Sequence, residues 1–272
     1  MNIRTFLAFV SSCAVELLYQ TALIATRLPG MSGGTLSRQI RGRTSGPDSA
    51  RSLLTSEKTA GDILFFCSSA GEFEQARPVM DLAMSRLGLD PLVLFLSRSG
   101  LEYVRARGEK VRAALAPPDA IWRWRRFDAR HRIKAAVVIR HEWWPAFLNV
   151  FSGRMPVLLI DAVRPAGSPE STVRNVGRGY LARNFSRVCT VDSATSEFFT
   201  TRFGVDPTLI QATGDTKYDR VADRAARIRI SDELRAEVTG FAAGRNILVC
   251  GSIYDVDLGL ITTAWRKDPR LN

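Results

Sequence analysis

From Gly61 onward the chain repeats one pattern: a short apolar run, a turn of small or polar residues, then a longer amphipathic stretch. The apolar runs are DILFFCS (62–68), PLVLFLS (91–97), AAVVIRH (135–141), PVLLIDA (156–162), RVCTVD (187–192), LIQATG (209–214) and NILVCGS (246–252). A strand with one face in water would alternate apolar and polar residues. These runs are continuous, so both of their faces must be covered. Helix-like stretches at 72–87, 99–108, 119–132, 144–152, 171–183, 194–203 and 219–240 supply the cover. Strand and helix alternating at this spacing predict an α/β fold, a doubly wound parallel sheet of Rossmann-like type over residues 61–243. Ligands of such sheets bind beyond the carboxyl ends of the strands, where the strand order reverses. Gly71-Glu72, His141-Glu142, Asp161 and Gly214 all fall at strand ends. The last apolar run reads as the first strand of a second, truncated domain over 244–272.

Charge adds a constraint on partners. The 272 residues carry 38 Lys+Arg against 27 Asp+Glu, a formal +11. That excess predicts an anionic partner, nucleic acid or the acidic surface of a membrane, unless it serves solubility alone. Residues 5–26, TFLAFVSSCAVELLYQTALIAT, are long enough to cross a bilayer, and residues 1–28 read as a membrane anchor helix. Glu16 weighs against full insertion, since an acid at mid-membrane costs about 2–4 kcal/mol. A helix lying in the interface with Glu16 on its polar face fits as well; a cleaved signal peptide and a packed amphipathic helix are the rivals. Residues 29–60, rich in Gly, Ser, Thr and Arg, read as a basic flexible linker against the membrane, with the body on the cytoplasmic side. IWRWRRFDARHRIK (121–134) interleaves aromatics and cations. Its composition suits a membrane interface, a half-buried helix with a solvated basic side, or nucleic acid. No nucleic-acid-binding module accompanies it, so no nucleic-acid partner is expected.

The four cysteines, Cys13, Cys67, Cys189 and Cys250, show no disulfide-like spacing and suit a reducing compartment. With only His131 and His141 available, no metal site and no cofactor are expected.

The candidates for chemistry sit at the strand ends. Glu72 stands in the first turn of a helix, where the macrodipole alone favours a carboxylate. Equally, the turn could hold Glu72 over the cleft as a general base, with Ser68, Ser69, Ala70 and Gly71 letting a ligand approach the backbone. RHEWWP (140–145) repeats the arrangement with Glu142 ahead of two tryptophans, either lining a cleft or starting a helix over core rings. In TGDTKYD (213–219), Lys217 follows a glycine turn and is either a phosphate or carboxylate ligand or a surface lysine. YDVD (254–257) is explained as well by capping from Asp255 as by a metal-binding D-x-D.

Taken together, CSSAGE (67–72), RHEWWP, IDAV (160–163), TGDTKYD and CGSIYDVD (250–257) resemble, in order and spacing, the motifs of the 3-deoxy-D-manno-octulosonic acid (Kdo) transferases of lipopolysaccharide synthesis. These are membrane-anchored, inverting GT-B glycosyltransferases, and the resemblance covers the N-terminal domain and little of the C-terminal one. It implies that Glu72 deprotonates the acceptor hydroxyl of a lipid A precursor, which attacks Kdo as CMP leaves. Ser69, Gly71, Glu142 and Lys217 would contact substrate. Residues 61–243 would then be the acceptor domain and 244–272 the start of the donor domain, the rest of the CMP-Kdo site either supplied by a second chain or lost in a truncated gene. The protein would sit at the cytoplasmic face of the inner membrane. A non-enzymatic relative that binds lipid or a partner protein is the alternative. Departures accompany the likeness: Arg140, Cys67, Asp161, Val163, Ile253, Tyr254 and Val256 stand where the family pattern has Glu, His, Asn, Arg, Thr, His and Gly.

Overall fold

The computed structural model describes residues 3–25, 42–43, 48–50, 62–129, 133–140, 143–165, 172–244 and 247–267. The chain divides into a larger unit, Met1–Asp223, and a smaller one, Arg224–Asn272.

The larger unit is built on one seven-stranded sheet. Its strands are β1 (Asp62–Cys67), β2 (Asp90–Phe95), β3 (Arg112–Leu115), β4 (Ile133–Ile139), β5 (Val157–Ala162), β6 (Arg187–Thr190) and β7 (Ile210–Ala212). All neighbouring pairs are parallel. The order is β3-β2-β1-β4-β5-β6-β7, so the chain winds outward from β1 to one edge and then returns to pair β4 with β1. The reversal point therefore lies between β1 and β4.

The helices of this unit are α1 (Ile3–Ala25), α2 (Ala70–Leu87), α3 (Arg98–Ala106), α4 (Ile121–Asp128), α5 (Pro145–Phe151), α6 (Thr172–Ala182), α7 (Ser193–Phe203) and α8 (Thr216–Arg227), the last running across the unit boundary. The sheet is apolar on both faces because helices cover both. Along β1, Leu64 and Phe66 enter one core cluster with Trp124, Phe147, Phe151, Phe199 and Phe203. Ile63, Phe65 and Cys67 enter the other with Phe73 and Met80 of α2 and Leu101 of α3. Phe66 stacks on Phe147 at 5.3 Å between ring centroids and meets Trp124 edge-on at 5.9 Å. Such pairs add about 0.5–1.5 kcal/mol each beyond the area they bury.

β3 does not stand out in the sequence. Its segment RAAL has no β-branched or aromatic residue and is four residues long. It exists because β2 offers an open edge to pair with. On its outer side, within the segment expected to be linker, Ser49 bridges to Leu115, and the Leu115 N–H donates to the Asp48 carbonyl at 2.7 Å. Asp48 also takes ion pairs from Arg98 at 2.7 Å and Arg105 at 2.5 Å. The sheet edge is thereby covered rather than left as an open ladder.

In the smaller unit α9 (Asp232–Ala242) and α10 (Asp255–Lys267) follow α8. The single helix expected over 219–240 is two, because Ser231 caps a new start by accepting the Leu234 N–H at 3.2 Å. The expected strand at 246–252 does not form over its described residues. Ile247, Leu248 and Val249 are exposed by 40, 54 and 84%. A strand needs a neighbour to satisfy its backbone, and the described residues of this unit form only helices and irregular chain. At YDVD, Asp257 takes the capping role expected of Asp255 and accepts the Tyr254 N–H at 3.0 Å.

Candidate active site

The chain leaves β1 through Cys67, a fully buried core residue, and turns into α2. Ser69 is the N-cap of α2, and its hydroxyl accepts the Glu72 N–H at 3.4 Å. The Glu72 carboxylate in turn accepts the backbone N–H of Ser68. Turn and carboxylate therefore fix each other, and Glu72 is only 9% exposed. At Gly71 an added Cβ would meet nothing nearer than the Ser69 hydroxyl at 3.8 Å, so the fold itself has room for a side chain there.

β4 ends across the reversal point at Ile139, and Arg140 is the next residue. Its backbone is left-handed, with φ 57°, and so is that of Asp161 at the end of β5, with φ 50°. Such conformations cost L-residues about 1–3 kcal/mol each and persist only where surrounding bonds hold them. Here the bonds are visible. The Arg140 N–H donates to the Ile160 carbonyl at 3.0 Å, and the Arg140 carbonyl accepts from Trp143 Nε1 at 3.0 Å. Its guanidinium donates from Nε to Gln75 Oε1 at 3.0 Å and from Nη2 to Asp215 Oδ2 at 2.6 Å. Gln75 lies three residues after Glu72, so the two share one face of α2. The structure thus places Glu72 and Arg140 on the same wall of the crevice.

The third contributor is the start of α8. Asp161, almost fully buried, accepts the Thr216 N–H at 3.0 Å and the Thr216 hydroxyl. The same hydroxyl oxygen lies 2.7 Å from the Gln75 carbonyl, the alternative acceptor for its one proton. Asp215 Oδ1 accepts the Lys217 N–H at 2.9 Å and Gln75 Nε2 at 3.4 Å. Two first-turn amides of α8 are therefore already bonded to side chains. Burial pushes the Asp161 carboxyl up from its ordinary value, against the Thr216 bonds, and the neighbouring Asp215 pushes the same way.

Of the candidates read from sequence, Glu72, Ser69 and Gly71 are assembled at the reversal point. Lys217 enters the same region through its backbone, while its side chain is exposed and lies 5.1 Å from the Tyr218 ring centroid. Glu142, with His141, falls outside the described residues. Trp143 is a core ring, edge-on to Phe199 and Phe203, each at 5.7 Å between centroids. Among the described residues no group of three or more His, Cys, Asp or Glu is placed to hold a metal. Gln75, Asp215 and Thr216 were not singled out in the sequence. The available signals were the three-residue spacing from Glu72 and the Asp-Thr pair ahead of a helix.

A buried carboxylate also supports the site from behind. Asp119 accepts the Ala146 and Phe147 N–H groups at 3.0 and 2.9 Å and the Trp124 indole N–H at 2.7 Å. It thereby caps α5, which follows directly on the Arg140 turn.

The family model described as "3-Deoxy-D-manno-octulosonic-acid transferase (kdotransferase)", an N-terminal glycosyltransferase domain, matches residues 38–220. No curated protein matches the chain. Among solved structures, UDP-GlcNAc 2-epimerase from Neisseria meningitidis, bound to UDP-GlcNAc, is similar at 14% identity and a TM-score of 0.51, over 67% of this chain and 54% of that one. The MnaA–UDP structure from S. aureus is similar at 12% identity and a TM-score of 0.50, over 65% of this chain and 51% of that one. The chain thus spans about half the length of these structures. At such identities the likeness is one of fold.

Proposed function

Since the chain belongs to the 3-deoxy-D-manno-octulosonic-acid transferase family through a domain match over residues 38–220, we propose that it provides the acceptor half of a glycosyl transfer from CMP-Kdo to a lipid A precursor. The observation that carries this reading is Glu72, a buried-edge carboxylate held by the Ser68 amide at the point where the strand order reverses. Glu72 takes the proton from an acceptor hydroxyl. The hydroxyl oxygen bonds to the anomeric carbon of Kdo on the face opposite the leaving group. The bond from that carbon to the phosphate oxygen breaks, and CMP departs with the electron pair, inverting the centre. No step needs a metal. Ser69 and Gly71 give the acceptor close access to the turn. Lys217 would meet an anionic part of the substrates, and Glu142 would line the same crevice. The remaining donor contacts come from a second domain, in a longer form of the protein or in a separate chain.

The proposal also places the protein at the cytoplasmic face of the inner membrane, with lipid A precursors at hand. α1 and α4 support that placement. α1 packs against α4 and α5, and Glu16 makes a two-pronged ion pair to Arg123 of α4 at 2.7 and 2.6 Å. Phe6, Val10, Leu17 and Leu18 of α1 and Trp122 of α4 stay exposed. Among the described residues no helix is long and apolar enough to cross a membrane, so the form of anchoring proposed is a helix lying in the interface.

The test is transfer of Kdo from CMP-Kdo to a lipid A precursor by the chain together with its donor half. Glu72→Gln should lower turnover by about 10²–10⁴-fold, the usual worth of a general base, with acceptor binding retained. Wild-type turnover in Glu72→Gln would remove Glu72 from the mechanism.

A further inference from the structure

The residue at the end of β4 changes what the crevice can bind. Arg140 borders Gln75, which lies one turn from Glu72 on α2, and three features of its setting suit it to bind an anion. First, its guanidinium spends Nε and Nη2 on Gln75 and Asp215, while Nη1 has no hydrogen bond among the described residues, and the side chain is 22% exposed. A planar fork with an open edge matches the two oxygens of a phosphate or carboxylate. Second, its backbone is immobilised by the Ile160 and Trp143 bonds, so an incoming anion meets a donor already in place. Third, Asp215 can give up the Nη2 bond without being stranded, because its other oxygen keeps the Lys217 amide and Gln75.

Resting on the acceptor reading above, we propose that Arg140 is a specificity-determining residue that binds an anionic oxygen group, phosphate or carboxylate, on the sugar whose hydroxyl Glu72 activates. Asp215 holds the guanidinium while the crevice is empty and yields one donor when the anion arrives. An acid at this position would repel such a group; arginine selects it. Gln75, bonded to both Arg140 and Asp215, sets the distance between the anion and the base one turn away on α2.

The experiment is calorimetric titration of the full chain with three soluble glucosamine disaccharides that differ at one position, carrying a phosphate, a carboxymethyl group or a free hydroxyl. The wild-type chain should prefer the anionic ligands over the uncharged one by about 10–100-fold, the range of a charge-assisted hydrogen-bond pair. Comparison of the phosphate and carboxymethyl arms identifies which anion the fork fits. Arg140→Gln should abolish the preference, bringing the anionic disaccharides down to the affinity of the uncharged one. Arg140→Lys, which retains the charge and the tie to Asp215, should keep only part of it. Thermal melts of both variants separate loss of folding from loss of binding. A wild-type chain without anion preference, or a folded Arg140→Gln or Arg140→Lys variant with the full wild-type preference, overturns the proposal. Glu72→Gln is the control that separates the two readings: it should lower transfer by about 10²–10⁴-fold and keep the ratio of anionic to uncharged affinity. Failure of transfer with the preference present defeats the reaction and not the anion site.

Discussion

Asp161 shows how far one side chain departs from what its letter suggests. It stands where the resembled family pattern carries Asn, in a left-handed backbone that Asn tolerates well, and it is buried against Thr216. Because burial raises its folded-state value above the ordinary 3.8, the folded protein holds this proton more tightly than the unfolded chain does. The stability it contributes is therefore full at low pH and falls as pH climbs through the ordinary value to the raised one. Asp161→Asn should remove that fall. Its melting temperature should equal or exceed wild type at about pH 7 and converge with it below about pH 4. A lower melting temperature for Asn at neutral pH would show that the charged form is the stabilising one. Glu72 was legible as a residue with two readings; the structure shows its backbone in the capped first turn and its carboxylate accepting the Ser68 amide of the same turn, while its role as a base belongs to the proposal. Arg140 was legible only as a departure from a pattern. Its partners lie 65 and 75 positions away, where local spacing carries no information.

Among the elements, α1 is the one whose setting the sequence left most open. Glu16 looked like an obstacle to membrane insertion and is instead the contact that fixes the helix to α4. The Arg123 hydrogen bond holds the Glu16 carboxyl below its ordinary 4.5, so the bond's contribution is present above that value and is lost as pH falls through the lowered one. Glu16→Ala should speed amide exchange of α1 by about 2- to 5-fold near neutral pH, the worth of a partly exposed ion pair. On acidification the wild-type helix should approach the variant's protection. Unchanged exchange in Glu16→Ala would mean that apolar contacts with α5 suffice. Helices bearing an amphipathic period were readable to within a few residues, as with α7 against 194–203 and α5 against 144–152. β3 was not, since RAAL is extended only because β2 pairs with it. Over 219–240 the amphipathic pattern continued through a break that Ser231 creates by capping.

For the whole molecule, the formal +11 and the exposed side chains of α1 make a joint prediction about surfaces. The protein should float with vesicles containing anionic lipid and detach in part at high salt, where screening shortens the electrostatic reach to about 3 Å at 1 M. Deleting residues 1–28 should abolish flotation even at low salt. Retention by the truncated protein would shift the proposed contact to α4, whose Trp122, Arg125 and Arg126 are exposed. The sequence alone determined the doubly wound sheet, because most of its continuous apolar runs, separated by amphipathic ones, pair as strands covered on both faces. The run at 246–252, by contrast, has no neighbouring strand among the described residues and stays irregular. Tertiary structure alone decided what occupies the strand ends. With β4 paired to β1, Arg140 meets Gln75 and Asp215, and with α1 packed on α4 and α5, Glu16 meets Arg123 across 107 residues. Such charges choose partners by the sheet order that brings their elements together, and that order is set by burial of the core.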